Sequence, residues 1–403
     1  MIYLISMLVF SSVICILVVV LLLVETRVTS KGAYTITING NTEDPLNVTG
    51  NPSLLSALSN KDIFLPSACG GSGSCGMCKC VVTDGGGGIL PTEIAHLSRQ
   101  DKTINKRLAC QLKVKENISI QIPESIFGIK KVDATVVSNH NVATFIKELV
   151  LTPENPIDFK AGAYMQIDVP EYDIAFKDFH IESKYISEWK KYNLLALAAQ
   201  GIKPGFRAYS LANAPHEKDI LMFNIRIATP PPGTEGIPPG FGSSYVFGLK
   251  PGDKVKVSGP YGDFMARDTS NEMCFIGGGA GMAPLRSHIL HQLDGIQSKR
   301  KISFWYGARS KREMFYDEDF KDLENRHKNF SYNVALSNPE QEDDWSGPTG
   351  FIHNHLSDAY LKKHDDPTEI EYYLCGPPPM IDAVINTLYD LGVEDDMIHY
   401  DKF

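Results

Sequence analysis

The chain has 403 residues, which is too long for one hydrophobic core, because domains usually contain about 100 to 200 residues. Hydrophobic residues make up 43% and charged residues 22% of the sequence, as in an ordinary globular protein. A net charge of -9 without a long basic run argues against nucleic acid as a partner. We therefore expect a multidomain protein whose partners are proteins or small molecules.

The first predicted element is an apolar segment from Leu4 to Val24, which has 21 residues and no charge. At about 1.5 Å per residue, a helix of this length crosses a bilayer core of about 30 Å. A cleaved signal peptide is the alternative, but no basic residue precedes the segment and its length exceeds the usual apolar core of about 7 to 15 residues. Arg27 and Lys31 follow the segment, which places the remainder in the cytoplasm by the positive-inside rule. The sequence therefore predicts a transmembrane anchor in residues 1–30.

Residues 31–126 are predicted to form a small α+β domain. The alternating segment AYTITI predicts a strand, and Asn51 followed by Pro52 predicts the start of a short helix. Further along, CKCVVTD predicts another strand, and PTEIAHLSRQ predicts a short helix capped by Thr92.

Two further domains are predicted at residues 127–268 and 269–403. The first contains short β-type segments such as AYMQIDV and LMFNIRIA between turn signals, which predicts an antiparallel barrel. Ser183 to Ala199 have helical spacing and predict an insertion in that barrel. The second domain alternates apolar strands, MCFIG, ISFWYG and YYLCG, with helical patterns, which predicts an α/β domain with a parallel sheet.

Four cysteines are predicted to hold a metal cluster. Cys69, Cys75 and Cys78 have the spacing C-x5-C-x2-C in a glycine-rich loop, and Cys110 follows further along the chain. A zinc site would favour two pairs of closely spaced cysteines, and Cys110 has no such neighbour. Three clustered thiolates with one remote thiolate are typical of a plant-type [2Fe-2S] cluster. Cys80, which lies in the following strand, is predicted to be a buried core residue.

The barrel segment contains the motif RAYS, which combines three groups suited to a flavin. Arg207 is suited to clamp a pyrophosphate, Tyr209 to stack on a flat ring, and Ser210 to hydrogen-bond the edge of that ring. The downstream segment GFGSSY precedes a predicted helix, where backbone N–H groups and hydroxyls bind phosphates. The candidate residues in this second segment are Gly240, Ser243 and Ser244.

A glycine turn follows the strand MCFIG and opens a predicted helix, which is the context of a dinucleotide-binding loop. A turn that only lets the strand and helix pack closely is the alternative. The segment CGPP follows an apolar run, at the strand end where α/β sheets bind ligands, and an inert core thiol is its alternative. The candidate nucleotide-binding residues are Gly277, Gly278, Gly279, Gly281, Pro284, Cys375 and Gly376.

RAYS, GGGAGMAPLR and CGPP, in this order, resemble the ferredoxin-NADP reductase-like family over residues 127–403. The resemblance implies an FAD whose pyrophosphate Arg207 contacts and whose ring is held by Tyr209 and Ser210. It also implies that NADH binds at the glycine turn, and that Ser210 and Cys375 act at the site of hydride transfer. The family commonly ends in an aromatic residue that covers the flavin, and this chain ends in Phe403.

With its anchor and a plant-type β-grasp ferredoxin domain, the whole chain resembles the F subunits of bacterial sodium-translocating NADH:quinone oxidoreductases. That resemblance implies electron flow from NADH through FAD and a [2Fe-2S] cluster to integral-membrane and flavin-bearing subunits, with a ubiquinone-type quinone as the acceptor. It also implies the inner membrane, with the catalytic domains in the cytoplasm. The alternative is an NADH-dependent reductase component of an oxygenase or desaturase, which would not need the apolar segment. Arg309 and Lys311 leave NADPH open as the donor on the residues alone.

Overall fold

The computed structural model describes residues 7, 9–20, 32–231, 233–234 and 236–402. Residues 9–20 are helical and exposed, and within the described ranges no helix combines the length and the apolar character needed to span a membrane. The predicted anchor, Leu4 to Val24, lies partly outside the described residues, and Phe403 lies wholly outside them. The chain divides into two compact units, residues 1–130 and 131–403.

The first unit is built on a five-stranded mixed sheet with the order β2-β1-β5-β3-β4. Strands β1 and β5 are parallel, and the other neighbours are antiparallel. Short helices accompany the sheet, as predicted for an α+β domain. The strands are β1 (Ala33–Ile38), β2 (Asn41–Thr49), β3 (Lys79–Asp84), β4 (Lys106–Leu108) and β5 (Ile118–Gln121), and the helices are α1 (Leu54–Ser59), α2 (Pro91–Ile94) and α3 (Arg99–Thr103).

Two predicted helix starts in this unit are each wrong by two positions. Ser53, instead of Asn51, caps α1, because its hydroxyl accepts a hydrogen bond from the backbone of the first turn at 3.2 Å. Thr92 lies inside α2, and Leu90 is the cap residue. The Leu90 N–H donates to the Glu93 carboxylate at 2.8 Å, so a side chain from inside the helix satisfies the cap backbone.

Glu93 and Arg107 form an ion pair inside the first unit. Their side chains are 0% and 1% exposed, and the Arg107 guanidinium lies 2.7 Å from a Glu93 oxygen. Arg107 also donates to the carbonyls of Gly86 and Gly87, and Glu93 accepts from the Leu108 N–H at 2.8 Å. Both charges therefore have several hydrogen-bond partners, which a buried pair needs to offset its desolvation. The pair ties the glycine run after β3 to β4.

The second unit begins with a six-stranded antiparallel sheet of the order β11-β8-β13-β6-β7-β12. A bridge between Leu211 and Phe223 links its two edges, as expected for the predicted barrel. Strands β9 and β10 form a separate pair. The strands are β6 (Lys130–Ala143), β7 (Ile146–Pro153), β8 (Tyr164–Val169), β9 (Tyr172–Ala175), β10 (Ala198–Gly201), β11 (Gly205–Ser210), β12 (Leu221–Arg226) and β13 (Lys254–Tyr261), and the helices are α4 (Ile186–Lys191) and α5 (Phe241–Gly248).

The insertion in the barrel is less helical than its sequence predicts. Of the predicted range, Ser183 to Ala199, only α4 is an α-helix, and a 3-10 turn at Leu194–Ala196 and strand β10 follow it. Asn193 has a φ of +53°, so the backbone leaves the helical path there. Trp189 is completely buried among aromatic side chains that include Phe176 and Phe179. The apolar residues that have helical spacing in the sequence therefore belong to one short buried helix and to a compact cluster of aromatic side chains.

The last part of the second unit is a parallel sheet of five strands with the order β16-β15-β14-β17-β18. Its central strands are completely buried, as expected for a parallel sheet with crossover helices. The α/β prediction is therefore confirmed. The strands are β14 (Met273–Gly278), β15 (Ile302–Ala308), β16 (Phe330–Leu336), β17 (Glu371–Gly376) and β18 (Ile398–Lys402), and the helices are α6 (Met282–Leu290), α7 (Asp317–Arg326), α8 (Ile352–Ala359) and α9 (Pro378–Asp390).

We expect Glu93→Ala to destabilise the first unit by about 3 to 5 kcal/mol, because it leaves the buried Arg107 guanidinium without its counter-charge. Hydrogen exchange of the β3 and β5 amides in the full chain measures this free energy of unfolding. Glu116→Ala removes an exposed carboxylate from the same unit and should change it by less than about 0.5 kcal/mol. Equal protection of these amides in the two variants would show that the pair does not support the unit.

Candidate functional site

The four predicted cluster ligands form two pairs of thiols. The sulfurs of Cys69 and Cys75 lie 3.3 Å apart, and the side chains of Cys78 and Cys110 hydrogen-bond to each other. The Ala109 N–H donates to the Cys78 carbonyl at 2.8 Å, which holds the remote cysteine beside the loop. Among the described residues, no three His, Cys, Asp or Glu side chains converge on a point that would hold a single metal ion. Two pairs match the two thiolates per iron of a [2Fe-2S] cluster.

The backbone of this loop also fits a cluster. Gly70, Gly71, Gly73 and Gly76 all have φ between +66° and +90°. Such positive angles turn backbone N–H groups towards a concave surface, where they bind anionic sulfur. The hydrogen bond from Cys75 lowers the pKa of Cys69 to about 2, and the bond from Cys78 lowers the pKa of Cys110 to about 7. The same two hydrogen bonds raise the pKa of the donors Cys75 and Cys78, so in each pair one thiol ionises readily and its partner keeps the shared proton.

Cys80 lies apart from the two thiol pairs. It sits on β3, is 2% exposed, and its sulfur lies 4.0 Å from the Arg107 carbonyl oxygen. Burial raises the pKa of its thiol to about 12, so it stays neutral. These features agree with the prediction of a buried core residue.

The motif RAYS lies on β11, where it pairs with β8. The N-terminal turn of α5 packs directly on it: a Cβ atom at Gly242 would lie 2.5 Å from Arg207 Cγ and 2.6 Å from the Tyr209 hydroxyl. Only glycine permits this approach. The Arg207 guanidinium lies over the Phe241 ring, 5.0 Å from its centroid. Arginine, tyrosine and a helix N-terminus thus form one cradle, which fits the pyrophosphate and ring of a flavin.

Of the two predicted phosphate-binding serines, Ser243 has other hydrogen-bond partners in the structure. Ser243 and Ser244 are both buried in the first turn of α5. The Ser243 hydroxyl accepts from the Ala228 N–H at 3.1 Å and donates to the Gly240 carbonyl at 3.3 Å. Gly240 caps the helix, and its own N–H donates to the Ala228 carbonyl at 2.8 Å. These bonds orient the N-terminus of α5 towards Arg207, so its N–H groups are the available donors.

The flavin-type strand and the nucleotide-type sheet meet at Ser210. Its hydroxyl donates to the Asp401 carboxylate at 3.2 Å. Asp401 lies on β18 directly beside Cys375 of β17. Burial raises the pKa of Asp401 above its ordinary value, and burial, helped by the nearby Asp401 charge, also raises the pKa of the Cys375 thiol well above that of a free thiol. A hydroxyl, a carboxyl group and a neutral thiol are therefore adjacent. The sequence analysis did not identify Asp401, because the last strand, IHYDK, also contains His399 and Lys402 and an acidic residue there gives no distinct signal.

The glycine turn packs against the end of β17. A Cβ atom at Gly281 would lie 2.1 Å from the Cys375 carbonyl oxygen, and one at Gly376 would lie 2.8 Å from the Gly278 carbonyl oxygen. Gly277 fits under Leu285 of α6, and Pro284 is buried in the first turn of that helix. The turn that packs against the strand end also borders a cleft, because Gly278 and Gly279 line it.

This cleft has a volume of about 570 Å³ and crosses the carboxyl ends of the parallel strands. It is large enough for much of a dinucleotide. Gly278, Gly279 and the Pro377 turn form its middle, and Arg309 and Ser337 follow β15 and β16 at its far end. Two lining residues that the sequence analysis did not single out are suited to a nucleotide. The Arg226 side chain has no hydrogen bond or ion pair within the described part of the chain, and the Phe351 ring is 65% exposed.

Family models match both units. Residues 36–115 match the 2Fe-2S iron-sulfur cluster binding domain, and residues 275–386 match the oxidoreductase NAD-binding domain. The first match contains all four predicted cluster ligands, and the second contains the glycine turn and the CGPP segment. Both matches agree with the geometry described above.

Solved structures share the fold at low identity. A cytochrome P450 reductase of Amycolatopsis is 24% identical, with a TM-score of 0.63, over 92% of this chain and 98% of its own. The ferredoxin reductase in carbazole 1,9a-dioxygenase is 25% identical, with a TM-score of 0.60, over the same shares of both chains. These likenesses concern the fold.

Whole-length relatives are more similar in sequence. A protein of Neisseria meningitidis serogroup C and one of Serratia proteamaculans, each named as the F subunit of a Na(+)-translocating NADH-quinone reductase, are 52% and 50% identical over 396 residues. Each alignment covers 98% of this chain and 97% of the relative. The chain therefore belongs to the family of F subunits of the sodium-translocating NADH-quinone reductases, which are NADH:quinone oxidoreductases with flavin and iron-sulfur cofactors.

Proposed function

We propose a residue-level route for the electron transfer of this family. NADH binds in the cleft, Arg207, Tyr209 and Ser210 hold FAD, and Cys69, Cys75, Cys78 and Cys110 hold the [2Fe-2S] cluster that passes electrons to other subunits. The observation that carries the proposal is the contact of Ser210 with Asp401, which brings the flavin-type strand to the strand end beside Cys375. FAD held by these residues would supply the step between a two-electron hydride donor and a cluster that takes one electron at a time.

The residues around this contact have separate tasks. Gly278 and Gly279 present backbone to the dinucleotide, and Arg226 offers a positive charge on the opposite wall of the cleft. Cys375 remains a neutral thiol and supplies a small, water-free surface against which the nicotinamide packs. Asp401 accepts the Ser210 hydrogen bond and thereby fixes the position of the Ser210 hydroxyl beside the proposed flavin site. Loss of the hydride leaves the nicotinamide ring positively charged. An ionised Asp401 carboxylate nearby stabilises that charge and so favours the hydride transfer.

The membrane attachment is part of the same proposal. Leu4 to Val24 form an uncharged apolar segment of sufficient length for one crossing, and Arg27 and Lys31 keep the two described units in the cytoplasm. A single helix without an internal charge contains no ion pathway. Sodium movement is therefore assigned to the integral-membrane partner subunits in the bacterial inner membrane, which also bind the quinone.

The route predicts that cluster and flavin functions are separable. Cys75→Ser removes one ligand of the first thiol pair, so the cluster EPR signal and quinone reduction by the assembled complex should both be lost. Reduction of a two-electron dye by NADH should continue at the parent rate, because it needs only the second unit. Cys80→Ala is the matched control and should keep all three properties. Loss of dye reduction in Cys75→Ser would contradict the proposed order of electron transfer.

Ser210→Ala should slow flavin reduction by NADH by about 10- to 100-fold, because the hydroxyl that orients the reacting ring is missing. Anaerobic stopped-flow absorbance measures this rate, and Ser258→Ala, which removes another buried barrel hydroxyl, should leave it unchanged.

The same measurement tests Asp401. Because burial raises its pKa, the rate should rise as the pH increases through that pKa and the carboxyl group ionises. A pH profile of Asp401→Asn that retains this rise would contradict the role of Asp401.

A further inference from the structure

The insertion in the barrel contacts Arg309, a residue that lines the nucleotide cleft. Nicotinamide must lie near Cys375 at the end of β17, and the glycine turn follows the neighbouring strand β14. The next strands in the sheet are β15 and then β16, so the dinucleotide continues in that direction. Its adenosine half therefore lies beside the residues that follow β15, Arg309 to Glu313. Here an α/β nucleotide domain distinguishes a ribose 2′-hydroxyl from a 2′-phosphate.

Arg309 is the cation at this end of the cleft, and two carboxylates hold it. Its guanidinium lies 3.4 Å from Glu313 and 3.5 Å from Glu188. Glu313 belongs to the same turn, whereas Glu188 comes from α4 of the insertion. The arginine side chain is 36% exposed, and the Glu188 and Glu313 side chains are only 10% and 16% exposed. Lys191 of α4 also pairs with Glu188, at 3.1 Å, so two basic and two acidic side chains balance here and the Arg309 guanidinium is already neutralised.

Buried contacts of the insertion fix the position of Glu188. The neighbouring Trp189 is completely buried, and its indole N–H donates to the Thr144 carbonyl at 2.7 Å. The Thr144 N–H in turn donates to Glu313 at 3.2 Å, and the Thr144 hydroxyl donates to the same carboxylate. Phe145, the next residue, lines the cleft, and its ring centroid lies 6.2 Å from that of Trp189. The insertion thus holds one acidic side chain at Arg309 and supports the second.

The other two basic residues that follow β15, Lys311 and Arg312, also have bonding partners. The Lys311 ammonium donates to the Asp343 carbonyl at 3.2 Å, and the Lys311 N–H donates to the Asp343 carboxylate at 2.9 Å. Arg312 is paired with Glu340 at 3.0 Å. All three basic residues of this turn therefore have partners before a nucleotide arrives. A 2′-phosphate would need at least one of them to change partners.

We propose that Glu188, supplied by the insertion, makes the cleft select a dinucleotide that has a free 2′-hydroxyl over one that carries a 2′-phosphate. Glu188 and Glu313 together hold the Arg309 guanidinium, so a 2′-phosphate would have to displace a carboxylate to pair with it. A ribose hydroxyl carries no charge and needs no such exchange. This inference rests on the proposed placement of NADH in the cleft, and it assigns the insertion a role in cofactor specificity that the barrel alone does not supply.

Glu188→Gln tests the inference, because the amide keeps the size of the side chain and removes its charge. We expect the ratio of kcat/KM for NADPH to kcat/KM for NADH to rise by about three- to tenfold, the usual range for one partly exposed charge pair. Dye reduction by the full chain gives both values. Glu182→Gln is the matched control from just before α4, because its carboxylate accepts from the Asn141 N–H at 3.0 Å instead of holding Arg309. It should leave the ratio unchanged.

A binding measurement on the same variants does not depend on turnover. Isothermal titration of the full chain with adenosine 2′,5′-bisphosphate and with 5′-AMP should show a gain in Glu188→Gln for the bisphosphate alone. In Glu188→Gln combined with Arg309→Gln this gain should disappear, because the cation that meets the 2′-phosphate is absent. A gain that survives in the double variant would assign the effect to a general change of the cleft and overturn the inference.

The outcomes separate this inference from the proposed function. If NADH reduces all variants but Glu188→Gln discriminates between NADH and NADPH as the parent does, the specificity inference is wrong and NADH binding in the cleft stands. If 5′-AMP fails to compete with NADH in the parent chain, the placement of the nucleotide is wrong, and the inference fails with it.

Discussion

The hydrogen bond between Ser210 and Asp401 is the contact on which the catalytic arrangement of the second unit depends. It joins the last residue of RAYS, on an antiparallel barrel, to the last strand of a parallel sheet. Gly281, pressed against the Cys375 carbonyl, holds the nucleotide turn at the same strand end. In the proposed placement, a flavin held by the barrel and a nicotinamide held by the sheet would meet at this point, as hydride transfer requires.

The cluster site depends on a different constraint, the shape of a short loop. Its glycines adopt positive φ, and its thiols form two pairs, of which the second includes Cys110 from beyond β4. The buried Glu93–Arg107 pair lies just before that cysteine and fixes β4 against the glycine run that follows β3. Burying two charges carries a large desolvation cost, so an ion pair adds little net stability to a small unit. The many hydrogen bonds of Glu93 and Arg107 indicate that the pair instead fixes the position of the backbone.

Local patterns were sufficient to predict the fold of both units and the grouping of the thiols. Cysteine spacing separated the four thiols that form two pairs from the buried Cys80, and the order of RAYS, the glycine turn and CGPP predicted the barrel and the α/β sheet. Sequence patterns did not predict the structure where packing between residues far apart in the chain determines it. The insertion is mostly non-helical because Asn193 reverses the backbone and Trp189 is buried among distant aromatics. Asp401, Arg226 and Glu188 carry no motif, and only the fold brings them to Ser210, to the cleft and to Arg309, respectively.

The family relationship also bears on the alternative of an oxygenase reductase. Such reductases share this fold at about one quarter identity, whereas the F subunits match nearly the whole chain at about half identity. The central claim is that electrons pass from NADH through the flavin to the [2Fe-2S] cluster of Cys69, Cys75, Cys78 and Cys110. An anaerobic NADH titration of the full chain, followed by visible absorbance and EPR, tests it most directly. The account predicts flavin bleaching together with the EPR signal of a reduced [2Fe-2S] cluster. Flavin bleaching without any cluster signal at excess NADH would contradict it.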